Sequence, residues 1–158
     1  MQAWWHTTVE LLQSGRRSEA IELARRIAAN GDLAASVRLA IFGGEAGITA
    51  EQADLIIERA TAAAVDDDET VHWALRGAYD LRLGTCDYEE KSRRALKHLE
   101  AFAKITGSAA AVISVARTYA TGGIGIPADL EAAVEWYHFA IALGEPGADA
   151  ELQRLLVA

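Results

Sequence analysis

The chain has 158 residues, of which 51% are hydrophobic and 24% are charged. It is therefore too apolar for a disordered protein and long enough for one domain with a sizeable core, which we assign to residues 1–158. A formal net charge of −8 at pH 7 argues against nucleic acid as a partner and makes a basic protein or peptide electrostatically easier to bind; the alternative is that the charge only serves solubility. No stretch approaches the roughly 20 apolar residues of a membrane span.

Apolar residues recur at helical spacing along almost the whole chain, and glycines interrupt them at short intervals, which predicts an all-α fold of about nine helices. The predicted helices cover residues 3–14, 17–30, 32–42, 49–64, 69–83, 87–105, 108–121, 128–143 and 146–158. Asp32 and Asp87 are suited to cap the third and sixth helices, and Thr49 with Gln52 forms a capping box at the fourth.

Four consecutive acidic residues, Asp66 to Glu69, precede the predicted fifth helix. Negative charge at this position complements the positive end of the helix dipole, so we interpret the run as an N-terminal cap. The alternative is a calcium loop. Such a loop needs spaced oxygen ligands and a turn glycine, and this run provides neither.

Small residues recur near the ends of several predicted helices. Ala20 lies eleven residues before Gly31, and Ala133 lies eleven residues before Gly144. A second pattern, spaced by four residues, recurs after forty residues: Val71, Leu75 and Tyr79 correspond to Ala111, Val115 and Tyr119. Each of these trios lies on one face of its helix, where small residues allow close approach and the aromatic ring fills the remaining gap. Both patterns predict a solenoid of stacked helix pairs.

One unit of this stack, residues 107–144, has a more specific pattern. It contains Gly122, Gly125, Ile126, Pro127, Asp129, Ala133, Trp136, Tyr137, Ala140 and Gly144. This order of a glycine-rich turn, an aspartate and an alanine-centred helix with Trp-Tyr resembles a Sel-one-like repeat of the tetratricopeptide superfamily. The turn is one residue longer than the usual form, and Ile141 stands where a second alanine is common. The resemblance implies a right-handed α-α superhelix of antiparallel helix pairs.

The resemblance also implies a non-catalytic adaptor or scaffold, often bacterial, that binds a protein or peptide on the concave face of its superhelix. The sequence leaves two alternatives open. An acidic immunity or inhibitor protein that neutralises a basic toxin or enzyme would have the same small size and charge. A hydrolase would need a cluster of catalytic side chains, which the sequence does not show.

The residues that most often carry chemistry are isolated from one another in this sequence. The four histidines are His6, His72, His98 and His138. They form neither a His-Glu-x-x-His motif nor a cluster with cysteine, so we expect no metal, no cofactor and no catalytic site. His98 stands among charged residues and is expected to face water. Cys86 is the single cysteine, which, with the lack of a signal sequence, fits a cytoplasmic location.

The first helix of each pair usually lines the concave face of such a solenoid, and here these are the third, fifth and seventh helices. The residues expected to face a partner are Arg38, His72, Trp73, Arg76, Asp80 and Arg117. Together they would provide an aromatic and cationic groove for the carboxylate or backbone of an extended peptide. The alternative is that Trp73 lies in the core and the arginines only solubilise the surface.

The N-terminal tryptophans offer a second candidate surface. Trp4 and Trp5 are adjacent, so they point about 100° apart on a helix and at most one is expected to pack inward. The other would cover the end of the solenoid or contact a second chain, which leaves a homodimer open.

Overall fold

The computed structural model describes residues 1–157, and in this range the chain forms nine α-helices and one 3₁₀ helix, Gly43–Ala46, but no strand. The α-helices are α1 (Ala3–Gln13), α2 (Arg17–Ala28), α3 (Leu33–Phe42), α4 (Ala50–Ala63), α5 (Glu69–Asp80), α6 (Tyr88–Thr106), α7 (Ala109–Thr121), α8 (Leu130–Ala142) and α9 (Ala148–Val157). The predicted all-α fold is confirmed, and the predicted end of the last helix at residue 158 lies outside the described residues. None of the helices in this range has the length and apolarity needed to cross a membrane.

Side-chain caps start the helices from α3 to α8. The capping oxygens belong to Asp32, Thr49, Asp68, Asp87, Ser108 and Asp129. The capping box is confirmed, because Thr49 N–H donates to Gln52 Oε1 at 2.9 Å and Gln52 N–H donates to Thr49 Oγ1 at 3.2 Å. Asp68 accepts from the N–H groups of Thr70 and Val71, so the acidic run is a helix cap, as predicted. Each such cap stabilises its helix by about 1 kcal/mol.

Helix α5 ends earlier than the sequence predicts, at Asp80 instead of residue 83. Arg82 takes a left-handed conformation with φ 67°, and the Leu83 N–H then donates to the Ala78 carbonyl at 3.1 Å. This pattern of hydrogen bonds closes the end of a helix and usually involves glycine at the left-handed position. The helix stops because the left-handed residue turns the chain away from its axis.

Helix pairs pack into a continuous stack. α3 packs on α4, α5 on α6 and α7 on α8, while contacts of α3 with α5 and of α6 with α7 join the pairs to one another. Three hydrophobic clusters follow one another along the stack, and Trp73 contacts two of them. The alanines Ala20, Ala133 and Ala140, which the sequence patterns single out, are completely buried. Small residues therefore lie where the helices approach most closely, as the repeated spacing predicts.

The glycine-rich turn between α7 and α8 lies against α6. A Cβ atom on Gly125 would lie only 2.6 Å from the Cβ of Glu89, so the close approach requires glycine. Arg93 Nη1 donates to the Gly125 carbonyl at 3.2 Å. These contacts hold the α7–α8 pair in position relative to α6.

Candidate functional site

A groove crosses the surface between α1 and α7, and its floor is formed by α5 and α6. One section has a volume of about 350 Å³ and is lined by residues that include Trp5, His6, Trp73, Phe102 and Ala110. The adjoining section has a volume of about 250 Å³ and extends to Asp80, Arg82, Ser92, Thr118 and Ile124. Both sections are lined by Arg76, Leu99 and Ser114. They therefore form one continuous surface, which we call the α1–α7 groove.

Aromatic rings form the floor of the wider section. Trp73 and Phe102 have ring centroids 4.7 Å apart and planes inclined by 40°, and the guanidinium carbon of Arg76 lies 5.2 Å from the Trp73 ring centroid. Trp73 packs against the hydrophobic core and is also partly exposed. Trp73 therefore contributes to the core and also lines the groove, and its contact with a partner stays a prediction.

Helix α1 forms one wall of the groove because its start is attached to the start of α5. Gln2 N–H donates to Thr70 Oγ1 at 3.1 Å. Trp5 is only 4% exposed and packs into the core, whereas Trp4 remains partly exposed beside it. One tryptophan packs inward, as predicted. Residues of α1 and of α5, which the sequence assigns to two separate candidate surfaces, line the same groove.

Arg76 lies at the junction of the two sections. Its Nε is 2.8 Å from a carboxylate oxygen of Asp80, one turn later on α5, and 33% of its side chain is exposed. Neither Nη group of Arg76 donates a hydrogen bond to another residue of the described chain. The guanidinium is held in place by Asp80 and by the Trp73 ring, while two NH₂ groups stay available to a ligand.

Arg82 supplies a second cation, in the narrower section. Its guanidinium carbon lies 3.8 Å above the Tyr88 ring, and it donates to the Tyr88 hydroxyl at 2.7 Å and to Ser92 Oγ at 3.3 Å. No carboxylate within residues 1–157 forms an ion pair with Arg82. Sequence reasoning missed this residue because the fifth helix was predicted to continue through it. The one available signal was a turn at Gly84, two residues later.

His72 is not a groove residue, and its predicted exposure is wrong. It is 6% exposed, and its Nδ1 lies 2.9 Å from the Nδ1 of His98, within hydrogen-bond distance. The prediction that His98 faces water is also wrong, since His98 is 5% exposed. Both errors have one cause: α5 and α6 bury a wide arc of their surfaces against each other. Burial lowers the pKa of His98 to about 4, and nearby His72, Lys97 and Arg94 act in the same direction.

The three arginines predicted to share one surface lie in three different places. Arg76 lines the groove. Arg38 lies behind Trp5, with its guanidinium 4.6 Å from that ring, and burial, followed by the charge of Arg17, lowers its pKa. Arg117 lines a separate depression, where its Nη2 lies 2.6 Å from a carboxylate oxygen of Glu151 on α9.

The described part of the chain contains no group of three or more histidine, cysteine or acidic side chains arranged to hold a metal ion. A side-chain pair with a shifted pKa lies in a neighbouring depression that shares Leu96 and Ile126 with the α1–α7 groove, where the Tyr119 hydroxyl donates to Glu100 at 2.5 Å. Burial, followed by this hydrogen bond, raises the pKa of Tyr119. The hydroxyl therefore stays protonated at neutral pH and donates the hydrogen bond to Glu100.

Comparison with known proteins identifies the fold. No model of a known protein family matches the sequence, and no curated protein matches it. The crystal structure of a Sel1 repeat protein from Oxalobacter formigenes is similar to this chain, with a TM-score of 0.52 and 24% sequence identity. The similarity covers 95% of this chain and 61% of that chain, so this chain spans about three fifths of that protein's length. The Sel1-like fold predicted from residues 107–144 is thereby confirmed.

Proposed function

We propose that this Sel1-like stack is a non-catalytic interaction module, an adaptor or scaffold that binds an extended segment of a partner protein in the α1–α7 groove. The observation that carries the proposal is the continuity of the groove through Arg76. A single surface combines an aromatic floor with a fixed guanidinium whose two NH₂ groups have no protein partner.

The lining of the groove suits a peptide chain. The rings of Trp73 and Phe102 provide apolar surface for one large side chain of the partner, and tryptophan and arginine are the residues that most often dominate binding energy. Ser114 lies in both sections and can donate to a peptide carbonyl. The wider section, at about 350 Å³, is within the range of roughly 300–1,000 Å³ that is usual for ligand pockets.

The proposed site of action is the cytoplasm. One cysteine in the sequence gives no intramolecular disulfide, which fits a reducing compartment. The non-catalytic role is supported by the positions of two groups with shifted pKa values, His98 and Tyr119. His98 is buried, and neither residue lines the groove.

Site-specific photocrosslinking in living cells tests the proposal. Benzoylphenylalanine is introduced at Ala110, which is exposed on the α7 wall of the groove, or at Ala150, which is exposed on α9 away from it. We expect a crosslinked partner from position 110 and none from position 150, and we expect Arg76→Glu to remove the crosslink. Equal crosslinking from both positions, or from neither, would contradict binding in the groove.

A further inference from the structure

The charge lining the α1–α7 groove is opposite in sign to the charge of the chain as a whole. The net charge is −8, yet the groove is lined by two guanidinium groups and a single carboxylate, Asp80. A basic partner attracted by the overall charge would therefore meet local repulsion at this surface.

From this we infer that the segment bound in the groove is acidic, with a carboxylate opposite Arg76 and a large apolar side chain over Trp73 and Phe102. The inference rests on the proposed function and names the chemistry of its partner. It replaces, for this surface, the expectation of a basic partner drawn from net charge.

The geometry of Arg76 favours a carboxylate over a neutral acceptor. The closest contact of Asp80 is with Nε, at 2.8 Å, and the guanidinium carbon lies 5.2 Å from the centroid of the Trp73 ring. The remaining NH₂ groups form a fork that matches the two oxygens of a carboxylate. Because the side chain is two-thirds buried, a bound carboxylate would be partly shielded from water, which strengthens the ion pair.

Arg82 provides a second positive charge that favours carboxylates further along the groove. Its contacts with Tyr88 and Ser92 are to neutral groups, so its positive charge is not compensated by an ion pair within residues 1–157. Left-handed backbone at a residue other than glycine is strained, and here it presents the guanidinium at the groove. An acidic segment that runs from Arg76 towards Arg82 meets a cation at each end.

The test begins with a phage library that displays random 12-residue peptides, selected on the 158-residue chain. We expect the enriched peptides to contain Asp or Glu close to a large apolar residue more often than the starting library. A selected peptide is then synthesised in three forms, with Glu, Gln or Lys at the acidic position, and its affinity is measured by fluorescence anisotropy.

Replacement of Glu by Gln in the peptide should weaken binding roughly tenfold to hundredfold, the effect of losing a charge-assisted hydrogen bond. The substitution Arg76→Glu should weaken binding of the Glu peptide by at least the same factor, and it should improve binding of the Lys peptide. Arg59→Glu is the matched control, because Arg59 is exposed on α4 and lies outside the groove. It makes the same change in net charge and should leave affinity within about twofold.

The substitution Ala110→Trp places a large side chain on the exposed α7 wall of the groove. It distinguishes the inference of an acidic segment from the broader proposal that a peptide binds in the groove. Selected peptides that lose binding to this variant but carry no acidic residue would overturn the acidic inference and leave groove binding intact. If no selected peptide is sensitive to Ala110→Trp, both the inference and the proposed function are wrong. Circular dichroism of each variant confirms that it is folded before its affinity is interpreted.

Discussion

The buried contact between His72 and His98 predicts that acid destabilises the protein in a definite pH range. The folded-state pKa of His98 is about 4, against an ordinary value of 6.5. Between these two pH values the unfolded chain binds more protons than the folded chain, so stability falls as the pH is lowered through this range. The difference corresponds to about 3 kcal/mol once the pH reaches 4.

The surroundings of His98 explain why the folded state disfavours its cationic form. Its ring stacks on Tyr79, with centroids 5.9 Å apart, and its Nδ1 faces the Nδ1 of His72 at 2.9 Å. Lys97 and Arg94 add positive charge nearby. The hydrogen bond between the two rings requires that one Nδ1 carries a proton and that the other does not, so it is lost when both rings are protonated.

The decisive variant is the double substitution His72→Leu and His98→Leu. It removes both polar groups together, so at pH 7.5 its free energy of unfolding should stay within about 1 kcal/mol of the parent. Single His98→Leu leaves the buried His72 Nδ1 without a partner and should cost about 1–3 kcal/mol. Urea unfolding followed by circular dichroism, at intervals from pH 7.5 to pH 4, measures these values.

Other groups also contribute to acid sensitivity. The carboxylates of Glu58, Glu90 and Glu151 have pKa values lowered mainly by arginine and threonine hydrogen bonds, and their stabilisation is also lost as pH falls. The free energy of unfolding lost between pH 6.5 and pH 4 should therefore be compared between the parent and the double variant. If both lose the same free energy between pH 6.5 and pH 4, His98 does not titrate as its burial requires.

Three further substitutions test the packing of the stack, each by urea unfolding at neutral pH. Gly125→Ala should lower the free energy of unfolding by about 2 kcal/mol or more, since its Cβ would lie 2.6 Å from the Cβ of Glu89 at a φ of 67°. Tyr79→Phe should cost about 1–2 kcal/mol, because the fully buried hydroxyl accepts from Arg94 at 3.1 Å. Ala140→Leu should cost about 1–3 kcal/mol, because Ala140 has no exposed surface and a longer side chain overpacks the α7–α8 contact.

Each of these three substitutions has a matched control. Gly123→Ala adds a Cβ with no contact closer than 3.9 Å, Tyr88→Phe alters a half-exposed ring, and Ala150→Leu adds the same side chain at an exposed site on α9. Each control should change stability by less than about half of its buried counterpart. Equal effects within any pair would show that the close contact in question is not the source of the loss.

Helix positions were predictable because the signals that begin and end them are local. Thr49 and Gln52 lie within one turn, and a glycine such as Gly107 needs only its own left-handed conformation to end a helix. The end of α5 was missed because Arg82 takes this conformation without being glycine. The Trp136-Tyr137 pattern was equally local, and it identified the fold.

The groove was only partly predictable because it is lined by helices that are far apart in the chain. Trp73 and Arg76, which the sequence predicts to face a partner, both line the groove because they lie on one face of a single helix. Arg38 and Arg117 were assigned to the same surface by analogy between helices, but their exposure depends on Trp5 and on Glu151, which come from α1 and α9. No local pattern shows that α1 and α7 face each other.

The two walls of the groove are separated in the chain by five helices, α2 to α6. In a stack whose helices contact mainly their neighbours, folding can proceed unit by unit as the chain emerges from the ribosome, N-terminus first. At that stage α1 and the α5 floor exist, but the wall that carries Ser114 and Ala110 does not. The groove is therefore absent from a chain that has been synthesised only as far as α6, and it forms when α7 docks on the preceding helices.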